Sequence, residues 1–327
     1  MKIPLLTVIT PVYNGERFIE SCLQSVIDQG CQEVEHIILD GGSTDMTPAI
    51  IERYAKKYSH IRWISEKDKG QSSAMNKGIF LAQGRIIGFL NCDDYYQPAV
   101  LPRILNIFQK LPDPSFLVGN CNILNEDEQI VCLNRPSRLS FTNILIRGEK
   151  NQFPYNPSAY FYHRSLHEMI GPYDESNHYT MDLDFLLRMS KAAHIKYVDE
   201  TWGNYRFISG TKTFQSKLDN QLRANEMRVM DVYFRELPWF HQWWVRINQP
   251  IQIFFDKHKV HYYFGRFKDC LKDPKEIQDL ISKRLNLCFF RDHLQSLNNK
   301  NNIRSSSEEA GIGAPQIDEA LLINNKM

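Results

Sequence analysis

Residues 86–94 read IIGFLNCDD, an apolar run followed at once by polar residues and two adjacent acids. An unbroken apolar run of this length is typical of a strand that is buried on both faces. Strands of that kind belong to mostly parallel sheets that helices cover on either side. The stretch therefore predicts an α/β fold in which Asp93 and Asp94 follow the carboxyl end of one strand.

Strands and helices alternate around this stretch over the first 120 residues. Short apolar runs predict the strands, and apolar residues at helical spacing predict the helices. The βαβαβαβαβ order predicts a Rossmann-like, mostly parallel sheet flanked by helices, which binds ligands at the carboxyl ends of its strands. The predicted strands are 5–10, 36–39, 61–64, 86–90 and 116–119, and the predicted helices are 16–29, 47–58, 72–82 and 98–110.

Polar segments follow the first four predicted strands, so we expect them to meet at one crevice. Asp93 and Asp94 would repel each other there unless a cation lay nearby, and Mg²⁺ or Mn²⁺ is bound by one or two carboxylates together with substrate phosphates. A solvated turn after the strand would also explain the pair. The four segments read TPVYNG (10–15), DGGSTD (40–45), EKDKGQ (66–71) and NCDD (91–94).

Two side chains in these segments could bind a flat nitrogen base. Asp40 could accept a hydrogen bond from a base imide N–H, or it could form an Asx-type turn before Gly41 and Gly42. Tyr13 could stack on the base, or it could be a half-buried aromatic residue. A dinucleotide-binding fold and a P-loop are excluded, because the first strand lacks G-x-G-x-x-G and no G-x-x-x-x-G-K-[ST] occurs.

Composition excludes several classes of protein. The 327 residues carry 39 Lys and Arg against 38 Asp and Glu, so no strong overall field attracts nucleic acid. Seven scattered cysteines without C-x-x-C spacing argue against a disulfide framework and a structural zinc site. Neither a signal peptide nor a run of 18 apolar residues is present. We therefore expect a cytoplasmic protein that spans no membrane and binds no nucleic acid.

A candidate base lies in the second half of the chain, after a predicted hairpin at 122–132. Residues 181–193 have helical apolar spacing, and Asp182 falls in the first turn, where the helix dipole favours an ionised carboxylate. Such an acid at a cleft edge can act as a general base, although a simple dipole partner or cap is the alternative. Asp184 and Arg188 stand four residues apart, so we interpret that acid as structural.

Six motifs together resemble those of family 2 glycosyltransferases with the GT-A fold, of the non-processive bacterial type. They are TPVYNG, LDGGSTD, EKDKGQSSAMNKG, FLNCDD, GPYDE and MDLDFLLR, in this order within about residues 5–213. The resemblance implies an inverting, metal-dependent transfer of a sugar from a nucleoside-diphosphate donor, for which we expect UDP. It also implies a glycan or lipid-linked glycan acceptor in the synthesis of bacterial surface polysaccharide.

The resemblance implies roles for individual residues as well. Asp182 would be the catalytic base, and Asp94, with Asp93 beside it, would hold Mg²⁺ or Mn²⁺. Asp40 would contact the base of the nucleoside and Tyr13 would pack on it. The full set around the donor would be Pro11, Tyr13, Asp40, Asp68 and Asp93, with Arg206 and Lys212 from a mobile loop at 205–213 over the diphosphate.

Three positions depart from the family pattern. Asn91 replaces the first acid of the D-x-D form, and Gly41 replaces a second acid beside Asp40. Ile208 stands where many members carry a histidine that binds metal in some relatives, so the metal would depend on Asp94, the diphosphate and water. The Q-x-x-R-W signature of processive synthases is absent, which argues against a cellulose- or hyaluronan-type polymerase.

The last third predicts a different organisation. Residues 237–255 contain three of the five tryptophans, and residues 256–300 carry ten Lys and Arg against six Asp and Glu. This pattern fits a peripheral contact with the inner face of the plasma membrane, a homodimer contact, or a helix packed on its own domain. The predicted domains are a catalytic domain at 1–213 (nucleotide-binding half 1–120, acceptor half 121–213), a helical extension at 214–298 and a disordered tail at 299–327.

Two other functions stay open. A GT-A protein could bind a nucleotide sugar without turnover, although the presence of Asp40, Asp93, Asp94 and Asp182 disfavours this alternative. A metal-dependent nucleotidyltransferase could use the same acids on phosphorus. Release of UDP that depends on an acceptor would distinguish sugar transfer from both.

Overall fold

The computed structural model describes residues 3–146, 154–177, 179–208 and 220–247. The predicted tail at 299–327 and the part of the extension beyond residue 247 lie outside the described residues. No helix within the described ranges is both long and apolar enough to cross a bilayer.

The element order alternates in the first half and then becomes irregular. The strands are β1 (Leu6–Val12), β2 (Val34–Asp40), β3 (Ile61–Ser65), β4 (Ile86–Phe89), β5 (Tyr95–Tyr96), β6 (Ser115–Leu124), β7 (Ile130–Asn134), β8 (Tyr160–His163) and β9 (His194–Arg206). The helices are α1 (Ile19–Ile27), α2 (Thr47–Lys57), α3 (Gln71–Leu81), α4 (Val100–Phe108), α5 (Phe141–Ile146), α6 (Leu166–Ile170), α7 (Met181–Ala192) and α8 (Asn220–Arg235). A 3₁₀ turn (Pro157–Ala159) precedes β8, and residues 239–247 are also helical.

The strands of the described residues form one sheet in the order β3-β2-β1-β4-β8-β6-β9-β5, with β7 paired to β6. β1 is parallel to β2 and β4, β2 is parallel to β3, and β6 is parallel to β9. β8 lies antiparallel between β4 and β6, and β5 is antiparallel to β9. The prediction of an α/β fold with a mostly parallel sheet is confirmed.

Close packing fixes α3 on the centre of this sheet. Every residue of β1, β2 and β4 is buried, as the apolar runs predict. A Cβ atom on Gly78 of α3 would lie 2.4 Å from a methyl carbon of Ile9 in β1, so only glycine allows this approach. Because α3 begins just after β3 ends, its first turn is held at the carboxyl edge of the sheet.

Two strands, β5 and β9, are not predicted from the sequence. The first eight residues of β9 are partly or fully exposed, and only the last five are buried. A strand of this kind has neither the apolar run nor the strict alternation by which strands are recognised. Tyr205 and Arg206 therefore belong to the sheet rather than to the predicted loop at 205–213, of which residues 209–213 lie outside the described residues.

A buried histidine makes the fold sensitive to acid. His36 in β2 has no exposed surface, and its Nε2 lies 2.8 Å from Oγ1 of Thr10. Burial lowers the pKa of His36 from 6.5 to about 3. The folded protein therefore binds fewer protons than the unfolded chain below about pH 6.5, and the free energy of unfolding falls as the pH drops from there toward 3.

We expect His36→Leu to reduce this acid dependence by as much as about 1.4 kcal/mol per pH unit, because the titrating group is gone. The variant should be less stable than wild type at pH 7.5, since Thr10 loses its partner. Urea unfolding at pH 7.5, 6 and 5 measures both effects. Thr10→Val is the matched control: it removes the same hydrogen bond and should keep the wild-type slope. Equal slopes for His36→Leu and wild type would contradict the prediction.

Candidate active site

A cavity of about 160 Å³ opens at the carboxyl ends of β2 and β3. Charged side chains of both signs line it, among them Asp40, Asp68, Lys67, Lys69 and Lys77. Parallel sheets bind their ligands at this edge. Two of the predicted donor-binding acids thus share one cavity.

Asp40, the last residue of β2, is only 2% exposed. Its carboxylate accepts hydrogen bonds from the backbone N–H and the hydroxyl of Ser43, at 3.2 and 2.5 Å, and from the hydroxyl of Ser65 at 2.5 Å. Ser43 Oγ also accepts from the backbone N–H of Asn14 at 2.7 Å, which ties the loop after β1 to the loop after β2. The side chain of Asp40 therefore closes a turn of the kind considered above, and it also forms part of the cavity wall.

Asp68 packs against the backbone of Gly41. Asp68 is half-buried, and its Oδ1 accepts a hydrogen bond from the backbone N–H of Gly70 at 2.8 Å. A Cβ atom at Gly41 would lie 3.0 Å from Oδ2 of Asp68. The missing side chain at position 41 thus leaves room for the Asp68 carboxylate, which gives this departure from the family pattern a structural reason.

Pro11 and Tyr13 lie at the carboxyl end of β1, as predicted. Pro11 is buried in the strand and pairs with Leu39 of β2, whereas Tyr13 follows the strand and is 64% exposed. The ring of Tyr13 is therefore accessible to a planar ligand, and Pro11 only shapes the backbone. The prediction for Lys212 lies outside the described residues.

Asp94 is fully buried and held by three donors. Its Oδ2 accepts from the side-chain amides of Asn91 at 3.0 Å and Asn156 at 2.7 Å, and its Oδ1 accepts from the backbone N–H of Arg206 at 3.2 Å. Burial raises the pKa of Asp94 well above its usual range, the charge of Asp93 raises it further, and the donors lower it. With no exposed surface, Asp94 does not face the crevice as predicted, and its contacts are those of a residue that fixes the loop.

Asp93 is the more accessible acid of the pair. Its side chain is partly exposed, and burial raises its pKa while the charge of Arg206 lowers it. No group of three or more His, Cys, Asp or Glu side chains that could hold a metal occurs among the described residues. The protein atoms here therefore fit a cation held by one carboxylate together with substrate oxygens, rather than a site built from protein ligands alone.

Arg206 holds the backbone of the Asp93–Asp94 segment in place. It is 7% exposed, and its guanidinium donates to the backbone carbonyl of Asp93 at 2.9 Å and pairs with Glu128 at 2.8 Å. The guanidinium also lies over the ring of Tyr95, 4.5 Å from its centroid. In this arrangement the charge of Arg206 is engaged with the protein, so its predicted contact with a diphosphate would require these partners to be exchanged.

The first turn of α3 joins the segments that carry the predicted chemistry. Gln71 donates from Nε2 to Oδ1 of Asn91 at 3.3 Å, and the hydroxyl of Ser72 contacts the sulfur of Met181. One helical turn thus contacts both the NCDD segment and the residue before Asp182. These contacts bring together part of what the motif positions predict, since the cavity itself is lined by Asp40 and Asp68 but not by Asp93, Asp94 or Asp182.

Asp182 lies in the first turn of α7, beside a wall of buried tyrosines. Tyr160 and Tyr173 are almost fully buried, and the Tyr173 ring stacks on Phe185, one turn after Asp182, at 4.1 Å. Burial raises the pKa of both tyrosines, and the nearby charge of Asp182 raises it further. The predicted base is therefore half-buried against a rigid aromatic surface. Asp184 pairs with Arg188 at 2.6 Å, as predicted for a structural acid.

Sequence patterns did not single out three residues that hold the site together. Asn156 binds Asp94, Glu128 binds Arg206, and Asn76 of α3 donates to the carbonyl oxygen of Tyr173 at 2.9 Å and accepts from its N–H at 2.8 Å. A lone Asn or Glu carries no spacing signal. Only the Asn before a proline at 156–157 hints at a constrained turn.

Residues 7–171 match the sequence profile of glycosyl transferase family 2. The chain belongs to this family. The Bacillus subtilis (strain 168) protein described as an uncharacterized glycosyltransferase, EpsJ, is 30% identical to this glycosyltransferase over 304 residues, which cover 88% of this chain and 86% of that protein. The resemblance recognised in the motifs is confirmed.

Two further similarities extend the comparison. Chondroitin synthase of Escherichia coli is 29% identical over 234 residues, which are 70% of this chain, and the match spans about a third, 32%, of the synthase. The solved structure of Staphylococcus aureus TarS 1–349 in complex with UDP-GlcNAc superimposes with a TM-score of 0.56 at 20% identity, covering 70% of this chain and 66% of that one. At that identity the likeness shows the fold, which is the predicted GT-A fold.

We expect Asn156→Ala to lower the free energy of unfolding by about 1–3 kcal/mol, because the buried Asp94 carboxylate loses a donor. Urea unfolding at neutral pH measures the loss. Ser158→Ala is the matched control. Both the hydroxyl and the backbone N–H of Ser158 donate to Oδ1 of Asn156, at 2.5 and 2.8 Å, so the variant loses only the hydroxyl and should leave the contact of Asn156 with Asp94 in place. A stability of Asn156→Ala equal to that of wild type would show that this hydrogen bond does not support the loop.

Proposed function

We propose that this glycosyltransferase inverts the anomeric centre of a sugar as it moves the sugar from UDP to a hydroxyl of a glycan or lipid-linked glycan, in the synthesis of bacterial surface polysaccharide. The observation that carries the proposal is the first turn of α3, which contacts the NCDD segment through Gln71 and the start of α7 through Ser72. The chondroitin synthase relative and the TarS complex with UDP-GlcNAc support the polymer class and the donor class.

The cavity after β2 and β3 is the proposed site of the donor's base. Asp40 and Asp68 are its carboxylates, and one of them accepts the imide N–H of uracil. Tyr13 is exposed at the end of the neighbouring strand β1, and in this proposal it stacks on the ring. The lysines in the cavity wall add positive charge close to a substrate that carries a diphosphate.

Asp93 is the proposed protein contact of Mg²⁺ or Mn²⁺, in place of the buried Asp94. Binding through a single protein carboxylate is typical of these cations, which are bound through one or two carboxylates together with substrate phosphates. A cation bound there neutralises charge that develops on the diphosphate leaving group. Arg206 donates to the backbone carbonyl of Asp93 from its guanidinium and to the side chain of Asp94 from its backbone N–H, and so holds the backbone that carries the Asp93 carboxylate.

Asp182 is the proposed general base. It takes the proton of the acceptor hydroxyl while that oxygen attacks the anomeric carbon from the side opposite the departing diphosphate. A single displacement of this kind inverts the anomeric centre. The amino-terminal position of Asp182 in α7 stabilises the ionised carboxylate that a base requires.

The test of the proposal is nucleotide release from a panel of UDP- and GDP-sugars, with Mn²⁺ or Mg²⁺, with and without glycan acceptors. Acceptor-dependent UDP release with a product of inverted configuration, assigned by NMR, is the expected result. Binding without release would favour the silent binding protein, and pyrophosphate formation would favour a nucleotidyltransferase. Either outcome would overturn the proposal.

Asp182→Asn should lower kcat by about 10²–10⁴-fold, because the base is lost, while the Kd of the UDP-sugar stays near the wild-type value. Steady-state kinetics and calorimetry give the two numbers. Asp184→Asn is the control on the same helix: it breaks the ion pair with Arg188 and should cost stability but not turnover. Full activity in Asp182→Asn would show that another group takes the proton.

Gly41→Asp should weaken UDP binding by about tenfold or more, because the new carboxylate would crowd and repel Asp68. Calorimetric titration with UDP measures the change. Gly41→Asn adds nearly the same volume without the charge, so the difference between the two variants isolates the repulsion. Unchanged UDP affinity in both variants would argue that the base binds elsewhere.

A further inference from the structure

A helix far along the chain from the site motifs carries an exposed apolar face. Within the helical residues 239–247, five large apolar side chains are between 40% and 80% exposed: Trp239, Phe240, Trp243, Trp244 and Ile247. Their spacing of i, i+1, i+4, i+5 and i+8 puts them on one face of the helix, which we call the aromatic ridge. Clustered apolar exposure of this kind marks an interaction surface.

The other face of this helix is attached to the catalytic domain. Val245 is 2% exposed and belongs to the main apolar core. Gln242 donates from Nε2 to the backbone carbonyl of Leu237 at 2.8 Å, and the guanidinium of Arg246 lies 5.2 Å from the centre of the Phe234 ring. The large aromatic side chains of this helix are therefore the exposed ones, whereas the smaller Val245 is buried.

The sequence of the aromatic ridge and of the segment that follows it favours an anionic partner. Residues 237–255 contain no acidic side chain, and residues 256–300 carry ten Lys and Arg against six Asp and Glu. Arg246 is exposed at the edge of the ridge. A two-fold dimer through this face would bring the positive charge of both copies into one interface, because such an interface uses the same patch of both subunits.

We propose that the aromatic ridge docks on an anionic phospholipid surface, with the helix lying in the plane of the interface. Tryptophan suits the boundary between water and hydrocarbon, since its ring is apolar and its N–H is polar. Basic residues next to such a helix add electrostatic attraction to anionic headgroups. The proposal is independent of the donor and base assignments, and it gives the enzyme a way to work where lipid-linked glycans are found.

The test is cosedimentation of the full-length protein with vesicles of phosphatidylglycerol and phosphatidylcholine, compared with phosphatidylcholine alone. We expect binding to the anionic vesicles that salt weakens. The double variant Trp239→Ser/Trp243→Ser should lower the partition coefficient about tenfold or more, because two indole rings no longer enter the interface. Phe80→Ser is the matched control, since Phe80 is 87% exposed on α3 and should not affect binding. Equal thermal melting curves verify that the variants are folded.

Brominated phosphatidylcholine, mixed into the anionic vesicles, tests whether lipid rather than a second copy of the chain or the chain itself covers the ridge. Quenching of tryptophan fluorescence in wild type is expected, because three of the five tryptophans lie on the ridge. Wild type that stays in the supernatant, or a double variant that sediments like wild type, would overturn the proposal. Concentration-dependent self-association that the double variant abolishes, without vesicle binding, would assign the ridge to a second copy instead. Absence of both effects would mean that the chain covers the ridge itself.

Discussion

The geometry of the site depends on one buried carboxylate. Asp94 accepts hydrogen bonds from Asn91 beside it, from Asn156 before β8, and from the backbone of Arg206 at the end of β9. A charge with no exposed surface is costly unless donors surround it, so the three segments must meet correctly for the fold to form. This requirement fixes the loop after β4 to the second half of the chain. The first 120 residues and the part of the chain from 121 to 208 thereby share one structural centre.

Arg206 also restrains Asp93, the acid next to Asp94. The side chain of Arg206 is held by Glu128 and Tyr95, and it donates a hydrogen bond to the backbone carbonyl of Asp93. The backbone of Asp93 is thus held before any substrate arrives. Groups that are oriented in advance need not reorganise during the reaction, and this is the main source of electrostatic catalysis in enzymes. The buried contacts of the NCDD segment therefore hold in place the acid that we propose as the cation ligand.

Apolar runs in the sequence predict the half of the fold whose strands are buried on both faces. β1, β2 and β4 are buried from end to end, and each contains a short apolar run. These runs predict the three strands from the sequence, and with them the edge where Asp40 and Asp93 lie. β9 escapes prediction because it is half-exposed and is stabilised by its long pairing with β6. Pairing between strands about 80 residues apart leaves no local trace in either sequence.

The site residues, like the strands, can be predicted from the sequence only in part. Sequence motifs locate the acids of the crevice, but they do not say which of two adjacent carboxylates is buried. Asp94 is buried because Asn156 and the Arg206 backbone reach it, and both contacts span long stretches of the chain. Asn156 is a single amide in an irregular segment, so no periodicity or spacing marks it. The identity of the acids could be predicted, and their orientation could not.

The contacts of the amide at position 91 give the departure from the D-x-D form a structural reason. Asn91 donates to Asp94 and accepts from Gln71, so it uses the two unlike ends of its side chain at once. A carboxylate has only acceptors and could serve Gln71 but not the buried acid beside it. An aspartate here would therefore require a shared proton or a rearranged neighbour. Burial of the inner acid thus makes an amide, rather than a second carboxylate, the side chain that this loop requires.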